Sequence, residues 1–323
     1  METHLRNTLQ AMDALRAIPG LRWNLEVAFQ AELVRQKAAS RYRELLARLR
    51  SGELGIQALY LNMLTGLCTG EELLRALEPA QRVAREARAS SLTACLTDVP
   101  SAVGTLPMLL RHAGVRYFVN AVNQDRGPSF AGAPPQRVQH PFWWETLDGA
   151  RVLAYFSTGY AQAAALGITV SLDAMERQAP AVLGQYDQPH YLPDSFLVYG
   201  AFSDNQAIEP AYAAHVAEWN RRWDYPRFVL SRPEDYFKDV ERRLGAKLPV
   251  YRGDMGAYWE DGAASSAAET RLNRVAVARA ESAERWMAVR TLLGQKIGKE
   301  ERNLLDSLWR SALFYDEHTW GAW

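Results

Sequence analysis

The stretch 91–114, SLTACLTDVPSAVGTLPMLLRHAG, decides how the rest of the sequence is interpreted. Residues 91–97 are apolar and β-compatible, and they end at the turn sequence Asp98-Val99-Pro100. Residues 106–112 have the composition of a helix, which Gly114 closes. The stretch therefore predicts a strand, a loop that carries an acidic residue, and a helix.

The same alternation extends in both directions along the chain. Further strands are predicted at 21–27, 54–62, 116–122, 151–157, 195–199 and 227–230. Helical spacing is predicted at 3–16 and 30–50, and again after Thr69, which forms a capping-box pattern with Glu72. This α/β alternation indicates either a doubly wound open sheet or a closed barrel.

The character of the sequence changes near residue 263. Residues 267–293 and 299–315 are predicted to form two long helices, with almost no β signal between or after them. A helical segment therefore closes the chain.

Composition excludes several classes of protein. The 37 basic and 37 acidic residues cancel to a formal charge of zero, which gives no general attraction for nucleic acid or for an anionic membrane. The longest uncharged run, 152–172, is too polar to span a membrane. Cys68 and Cys95 are too few for a disulfide framework, and the N-terminus lacks the apolar run of a signal peptide. We therefore expect a cytoplasmic protein; its oligomeric state is left open.

Acidic residues that follow predicted strands are the first candidates for chemistry, because active sites of α/β folds lie beyond the carboxyl ends of the strands. Asp98, Asp204 and Asp254 meet this condition, the last after a predicted strand at 248–251. Each also has a purely structural interpretation, since aspartate is a common turn residue and Asp204 is followed by Asn205. The residues alone leave both interpretations open.

Familiar motifs are missing from the sequence. It contains no G-x-G-x-x-G, no phosphate loop, no H-E-x-x-H and no G-x-S-x-G, which weakens the dinucleotide, NTPase, zincin and α/β-hydrolase interpretations. Of six histidines, only His318 has unusual neighbours in the sequence: it lies between Asp316-Glu317 and the aromatic sequence TWGAW at 319–323. This cluster indicates either a site or an aromatic interface.

Several segments, in one order along the chain, resemble glycoside hydrolase family 38, the zinc-dependent α-mannosidases. The strongest match is ACLTDVPS at 94–101 with the helix that follows it, which resembles the family's nucleophile strand and loop. Weaker matches are LRWNLE at 21–26, GELGI at 52–56, FWWETLDG at 142–149, YGAFSDN at 199–205, and GD at 253–254 with YW at 258–259.

This resemblance implies both an architecture and a chemistry. The architecture is a seven-stranded β/α barrel-like catalytic domain over 1–262, N-terminally incomplete, and a helical segment over 263–323 that begins a helix-bundle domain. The chemistry is retaining hydrolysis of a carbohydrate, in which Asp98 attacks the sugar and also binds Zn²⁺, with His318 as a further zinc ligand. Asp204 would then be the general acid/base, and Trp259 would stack against the sugar.

The sequence also departs from the family. The family begins with a His-x-Asp pair that supplies two of its four zinc ligands, and this sequence contains no His-x-Asp. Val99 replaces the aromatic surroundings common after the family's nucleophile, so the sugar is not carried over. Two alternatives stay open: an inactive carbohydrate-binding relative or fragment that lacks half of the zinc site, and a metal-dependent deacetylase-like barrel.

Overall fold

The computed structural model describes residues 1–121, 129–130, 140–157, 159–189, 191–200, 206–256 and 259–319. The elements up to the fourth strand are α1 (Glu2–Ala17), β1 (Trp23–Leu25), α2 (Phe29–Lys37), α3 (Ala39–Ser51), β2 (Leu54–Ile56), α4 (Gly70–Ala87), β3 (Thr93–Thr97), α5 (Leu106–His112) and β4 (Tyr117–Ala121). The elements that follow are β5 (Ser129–Phe130), β6 (Phe142–Glu145), β7 (Arg151–Ser157), α6 (Gln162–Ala165), α7 (Leu172–Gly184), α8 (Ala211–Arg222), α9 (Pro233–Leu244), β8 (Val250–Arg252), β9 (Met255–Gly256), α10 (Ala267–Leu292) and α11 (Lys299–Tyr315). Short 3-10 turns lie at Gly245–Lys247 and Glu260–Ser266.

The central sheet has five strands in the order β3-β4-β7-β6-β8. The first three strands in this order are parallel, while β6 runs antiparallel to β7 and parallel to β8. β1 and β2 form a separate parallel pair, and the Ala58 N–H after β2 donates to the carbonyl of Thr93 in β3 at 2.9 Å. The fold is therefore mixed α/β around a central sheet. The predicted seven-stranded barrel is not confirmed, since within the described ranges no strand pairing joins β8 to β1.

Two predicted strands are wrong. Residues 195–199 and 227–230 form no strand, although several of their side chains, including Leu197, Tyr199 and Phe228, pack against buried clusters. Side-chain amides bind their backbone instead: the Tyr199 N–H donates to Gln162 Oε1 at 2.9 Å, and the Phe228 N–H donates to Asn220 Oδ1 at 2.9 Å. A backbone donor satisfied in this way needs no neighbouring strand.

The central sheet is apolar on both faces, as expected for strands covered on both sides. One face places Leu96, Phe118 and Trp144 in the largest core cluster, together with the helices of the N-terminal part. The other face packs against α9, where Phe237 stacks on Tyr117 with ring centroids 5.0 Å apart. This double cover fixes the sheet, so that residues at the carboxyl ends of β3, β4 and β7 meet at one edge.

The two long C-terminal helices are confirmed and form a hairpin. Val277 and Ala280 of α10 pack against Trp309 and Ala312 of α11. The hairpin docks on the N-terminal part through Phe314, whose ring packs edge-on against other aromatic rings, including Phe29 at 5.0 Å. None of the described helices is long and apolar enough to cross a lipid bilayer.

The capping box predicted at the start of α4 is confirmed and yields a stability prediction. Thr69 Oγ1 accepts from the Glu72 N–H at 3.2 Å, and the Thr69 N–H donates to Glu72 Oε2 at 2.7 Å. Thr69→Ala should therefore lower the free energy of unfolding by about 1 kcal/mol, measured by urea denaturation. Thr69→Ser keeps the hydroxyl acceptor and should therefore lower the free energy of unfolding much less. Equal stability of the alanine variant and the original chain would contradict the assignment.

Candidate active site

Asp98 lies directly after β3, at the carboxyl edge of the central sheet. Its backbone is left-handed, with φ of 67°, and such a conformation costs a non-glycine residue about 1–3 kcal/mol. The Asp98 N–H donates to the carbonyl of Ala121 at the end of β4, at 2.9 Å. A strained residue held in place by its neighbours is typical of functional sites.

The loop after Asp98 is fixed from two sides. The buried Asn120 donates its amide to the carbonyl of Val99 at 2.9 Å. Asp254 Oδ1 accepts from the Gly104 N–H at 2.5 Å, and a Cβ added to Gly104 would lie 2.7 Å from the carbonyl carbon of Gly253, so glycine is required there. Asp254, one of the three acidic residues selected from the sequence, thus binds the loop backbone here.

His318 reaches the same edge through backbone pairing at the end of α11. The chain after α11 pairs antiparallel with the chain after β2. The Leu64 N–H donates to the carbonyl of Asp316 at 2.8 Å, and the His318 N–H donates to the carbonyl of Asn62 at 2.9 Å. Two residues from distant parts of the sequence, Asp98 and His318, are thereby brought together.

The His318 ring lies between two carboxylates. Its Nε2 is 3.9 Å from Asp98 Oδ2, and its Nδ1 forms a close ion pair with Glu317. Burial lowers the pKa of the imidazole, but the hydrogen bond and charge of Glu317 and the charges of Asp98 and Glu26 together raise it more, so the His318 pKa lies above its ordinary value. Burial likewise raises the pKa of Glu317, and the pairing with His318 shifts it net downward.

Glu26 and Asn62 complete the site, and the sequence interpretation had not assigned either to it. Glu26 follows β1, and its Oε1 accepts from Asn62 Nδ2 at 2.9 Å. Asn62 Oδ1 in turn accepts from the Thr97 N–H at 3.1 Å. The charge of Glu26 contributes to the raised pKa of His318. Glu26 lies inside the predicted strand 21–27, whereas β1 ends at Leu25, so the criterion applied to the aspartates did not select it.

Tyr199 connects another segment to this edge. Its hydroxyl lies 2.6 Å from Thr97 Oγ1, and burial raises the pKa of the phenol well above its ordinary value. Gln162 holds the Tyr199 backbone from α6. Tyr199, the first residue of the segment 199–205 that includes Asp204 in the sequence, is thus hydrogen-bonded to Thr97, the residue before Asp98.

The remaining predicted site residues are Trp259 and Asp204. Trp259 lies near the site, with its ring centroid 6.5 Å from that of His318 and the planes tilted by 59°. Asp204 lies outside the described residues. The structure therefore brings together Asp98, His318 and Trp259, and the roles assigned to them stay predictions.

Comparison with known proteins identifies the family. Residues 5–254 match the Glycosyl hydrolases family 38 N-terminal domain. The chain belongs to this family. No curated protein matches the chain in sequence.

Solved structures agree with the fold of family 38. An alpha-mannosidase from Enterococcus faecalis V583 has a TM-score of 0.66 and 15% identity, with 79% of this chain and 28% of that chain covered. A protein in the Glycosyl Hydrolase Family 38 from Enterococcus faecalis has a TM-score of 0.59 and 15% identity, covering 78% of this chain and 26% of that one. A 4-alpha-glucanotransferase from Thermococcus litoralis has a TM-score of 0.51 and 15% identity, with 77% of this chain and 36% of that chain covered. The chain spans about a third or less of each protein's length.

The donor set of this family 38 chain fits part of a zinc site. Nδ1 of His318 is held by Glu317, which leaves Nε2 directed toward Asp98, and a carboxylate on the second nitrogen is the usual support of a zinc-binding histidine. In the part of the chain that the structure describes, no three His, Cys, Asp or Glu side chains group as metal ligands. Because zinc generally takes four ligands, Asp98 and His318 would provide two of them, and a zinc site here would need further ligands.

The ion pair of Glu317 with His318 gives a pH prediction for metal-free protein. Removing the carboxylate with Glu317→Gln should lower the pKa of His318, measured by NMR titration of its ring protons. Because the folded pKa of His318 is raised and that of Glu317 is lowered, the pair stabilises the fold fully between the unfolded pKa values of the glutamate and the histidine, and this stabilisation is lost as pH rises through the folded pKa of His318. The stability difference between the two proteins should therefore shrink toward high pH.

The control for this experiment removes a carboxylate elsewhere. Glu281→Gln breaks a pair with Arg285 on α10, and it should leave the His318 titration unchanged. An unchanged His318 pKa in Glu317→Gln would contradict the ion pair.

Proposed function

We propose that this chain carries the active site of a retaining, zinc-dependent α-glycosidase of the α-mannosidase type, with a carbohydrate as substrate. The observation that carries the proposal is the approach of Asp98 Oδ2 to His318 Nε2, 3.9 Å apart, at the carboxyl edge of parallel strands. Family 38 membership supports the class of reaction, and the α-mannosidase from Enterococcus faecalis suggests the sugar.

Asp98 is proposed as the nucleophile. A retaining glycosidase uses two carboxyl groups about 5 Å apart. One oxygen of Asp98 would form a bond to the anomeric carbon as the glycosidic carbon–oxygen bond breaks, which gives a covalent glycosyl ester. The leaving oxygen would take a proton from the general acid, for which Asp204 remains the prediction. Water would then attack the same carbon, give its proton to the general acid/base, for which Asp204 is the prediction, and release the Asp98 carboxylate.

The other residues would prepare Asp98 for this attack. Asp98 and His318 would hold the zinc ion, which when bound would keep the carboxylate ionised and help to orient sugar hydroxyls. Glu317 would keep His318 Nε2 directed toward Asp98. Trp259, beside His318, would offer an aromatic face to the apolar side of the sugar ring.

The site draws on both predicted parts of the chain. Asp98 and Glu26 belong to 1–262, the proposed barrel-like catalytic domain, and His318 belongs to 263–323, the proposed start of a helix bundle. Neither part would hold the Asp98–His318 pair without the other. The cytoplasmic location remains a prediction from the cysteine content and the N-terminal sequence.

Loss of Asp98 should abolish hydrolysis. Asp98→Asn should lower kcat/KM for an aryl α-mannoside by more than about 10³-fold, since no covalent intermediate can form. Asp173→Asn, at an exposed aspartate of α7, should keep the original rate. Removal of metal with EDTA should abolish turnover in the original chain, and added Zn²⁺ should restore it.

Other outcomes would change the assignment. Turnover that survives in Asp98→Asn would exclude this residue as nucleophile. Mannoside binding without turnover, measured by calorimetry with Zn²⁺ present, would identify an inactive carbohydrate-binding relative. Release of acetate from an acetylated sugar, with no hydrolysis of glycosides, would identify a deacetylase.

A further inference from the structure

Asn62 makes three hydrogen bonds, each to a different part of the site. Its Nδ2 donates to Glu26 Oε1 at 2.9 Å, and its Oδ1 accepts from the Thr97 N–H at 3.1 Å. Its own carbonyl accepts from the His318 N–H at 2.9 Å. One residue therefore contacts the chain after β1, the end of β3 next to Asp98, and the chain after α11.

The partners determine how the Asn62 amide is oriented. A backbone N–H can only donate, so Oδ1 must face Thr97, and a carboxylate can only accept, so Nδ2 must face Glu26. Both ends of the amide are thus used at once. Aspartate has the same shape but lacks the donor, and alanine lacks both groups.

The strand ladder does not supply this connection. β2 pairs with β1 only as far as Ile56, six residues before Asn62 in the sequence. Beyond that point backbone hydrogen bonds still join the chain after β2 to its neighbours, for example from Ala28 N to Leu59 O at 3.0 Å. The Asn62 side chain adds the link between Glu26 after β1 and Thr97 at the end of β3. Its bond to Thr97 N and the bond from Asp98 N to Ala121 O fix two successive peptide units. These two units set the direction of the strained Asp98 backbone.

Glu26 faces the same space as the other charged groups. Its charge contributes to the raised pKa values of His318, of the Tyr199 phenol and of the Cys95 thiol. The Asn62 amide therefore holds a carboxylate that acts on the whole polar edge of the sheet.

We infer that Asn62 is a positioning residue, which sets Glu26, Asp98 and His318 relative to one another for hydrolysis. This inference rests on the proposed glycosidase function. Asn62 acts on Glu26 and His318 directly and on Asp98 through the Thr97 backbone, because its side-chain amide and its carbonyl form the three hydrogen bonds.

Four variants separate the hydrogen bond from the charge. Asn62→Ala removes both side-chain bonds, and Asn62→Asp keeps the acceptor for Thr97 but opposes a carboxylate to Glu26. Glu26→Gln keeps an acceptor for Asn62 and removes the charge. The double variant Glu26→Gln/Asn62→Asp restores the bond with reversed polarity, because the glutamine amide can donate to the new aspartate.

Turnover of an aryl α-mannoside with Zn²⁺ present gives the first readout. Asn62→Ala and Asn62→Asp should lower kcat by about 10²-fold with a smaller change in KM, as expected when reacting groups are misplaced. The double variant should recover at least about tenfold over Asn62→Asp, because the restored hydrogen bond removes the repulsion between two carboxylates and holds the side chain at position 26 in place. Asn220→Ala, which removes an equivalent pair of side-chain bonds to the Phe228 backbone, should keep the original kcat. Original kcat in both Asn62 single variants, or no recovery in the double variant, would overturn the inference.

Amide hydrogen exchange gives a second readout that needs no turnover. Asn62→Ala should accelerate exchange at Thr97, whereas Asn62→Asp should leave it slow because the acceptor remains. Equal exchange in all variants would overturn the inference even in a protein that hydrolyses nothing. Failure of the function itself is distinct: Asp98→Asn would then hydrolyse as fast as the original chain, or neither would hydrolyse, while the exchange results still decide the role of Asn62.

Discussion

The antiparallel backbone pairing between the chain after β2 and the chain after α11 is the constraint on which the rest of the site depends. Two hydrogen bonds form it, from Leu64 N to Asp316 O and from His318 N to Asn62 O. Because it uses backbone groups, the pairing fixes the position of His318 whatever side chains lie around it. The aromatic packing of Phe314 on the N-terminal part supports the docking of the same helix end. The candidate site therefore exists only while the C-terminal hairpin is docked.

Negative charge dominates the site that this docking creates. Glu26, Asp98 and Glu317 all act on the one imidazole of His318, and each of the three raises its pKa. Like charges so close together repel, and the His318 ring, when protonated, balances only one of them. The excess favours binding of a cation between Asp98 and His318, which supports the zinc proposal from electrostatics as well as from donor type.

Local features of this fold could be predicted from the sequence, while features that depend on distant contacts could not. The capping box of Thr69 and the strand that ends at Asp98 are local patterns, and both are confirmed as structure. Residues 227–230 have the composition of a strand, but Asn220, in the preceding helix, binds the backbone of Phe228, so no strand forms. Periodicity cannot register such a competing partner.

The same limit determines which residues of the candidate site could be predicted from the sequence. His318 could be selected because its neighbours in the sequence are unusual, and Asp98 because it follows a strand. Asn62 is the last residue of the predicted strand 54–62, and its three bonds exist only once β1, β3 and α11 have converged. Its importance is a property of the assembled fold, which no local pattern expresses.

A buried carboxyl, that of Asp316, lies next to the charged groups of the site. Asp316 is 1% exposed, and burial together with the charge and hydrogen bond of Glu72 raises its pKa well above the ordinary value. Burial and the charge of Glu72, the residue that also caps α4, therefore favour the protonated form of this carboxyl. Asp98 and Glu317, by contrast, have side chains 24% and 20% exposed, and solvent can support their charge. Burial thus separates a carboxyl that holds the hairpin in place from the carboxylates that would meet a cation and a sugar.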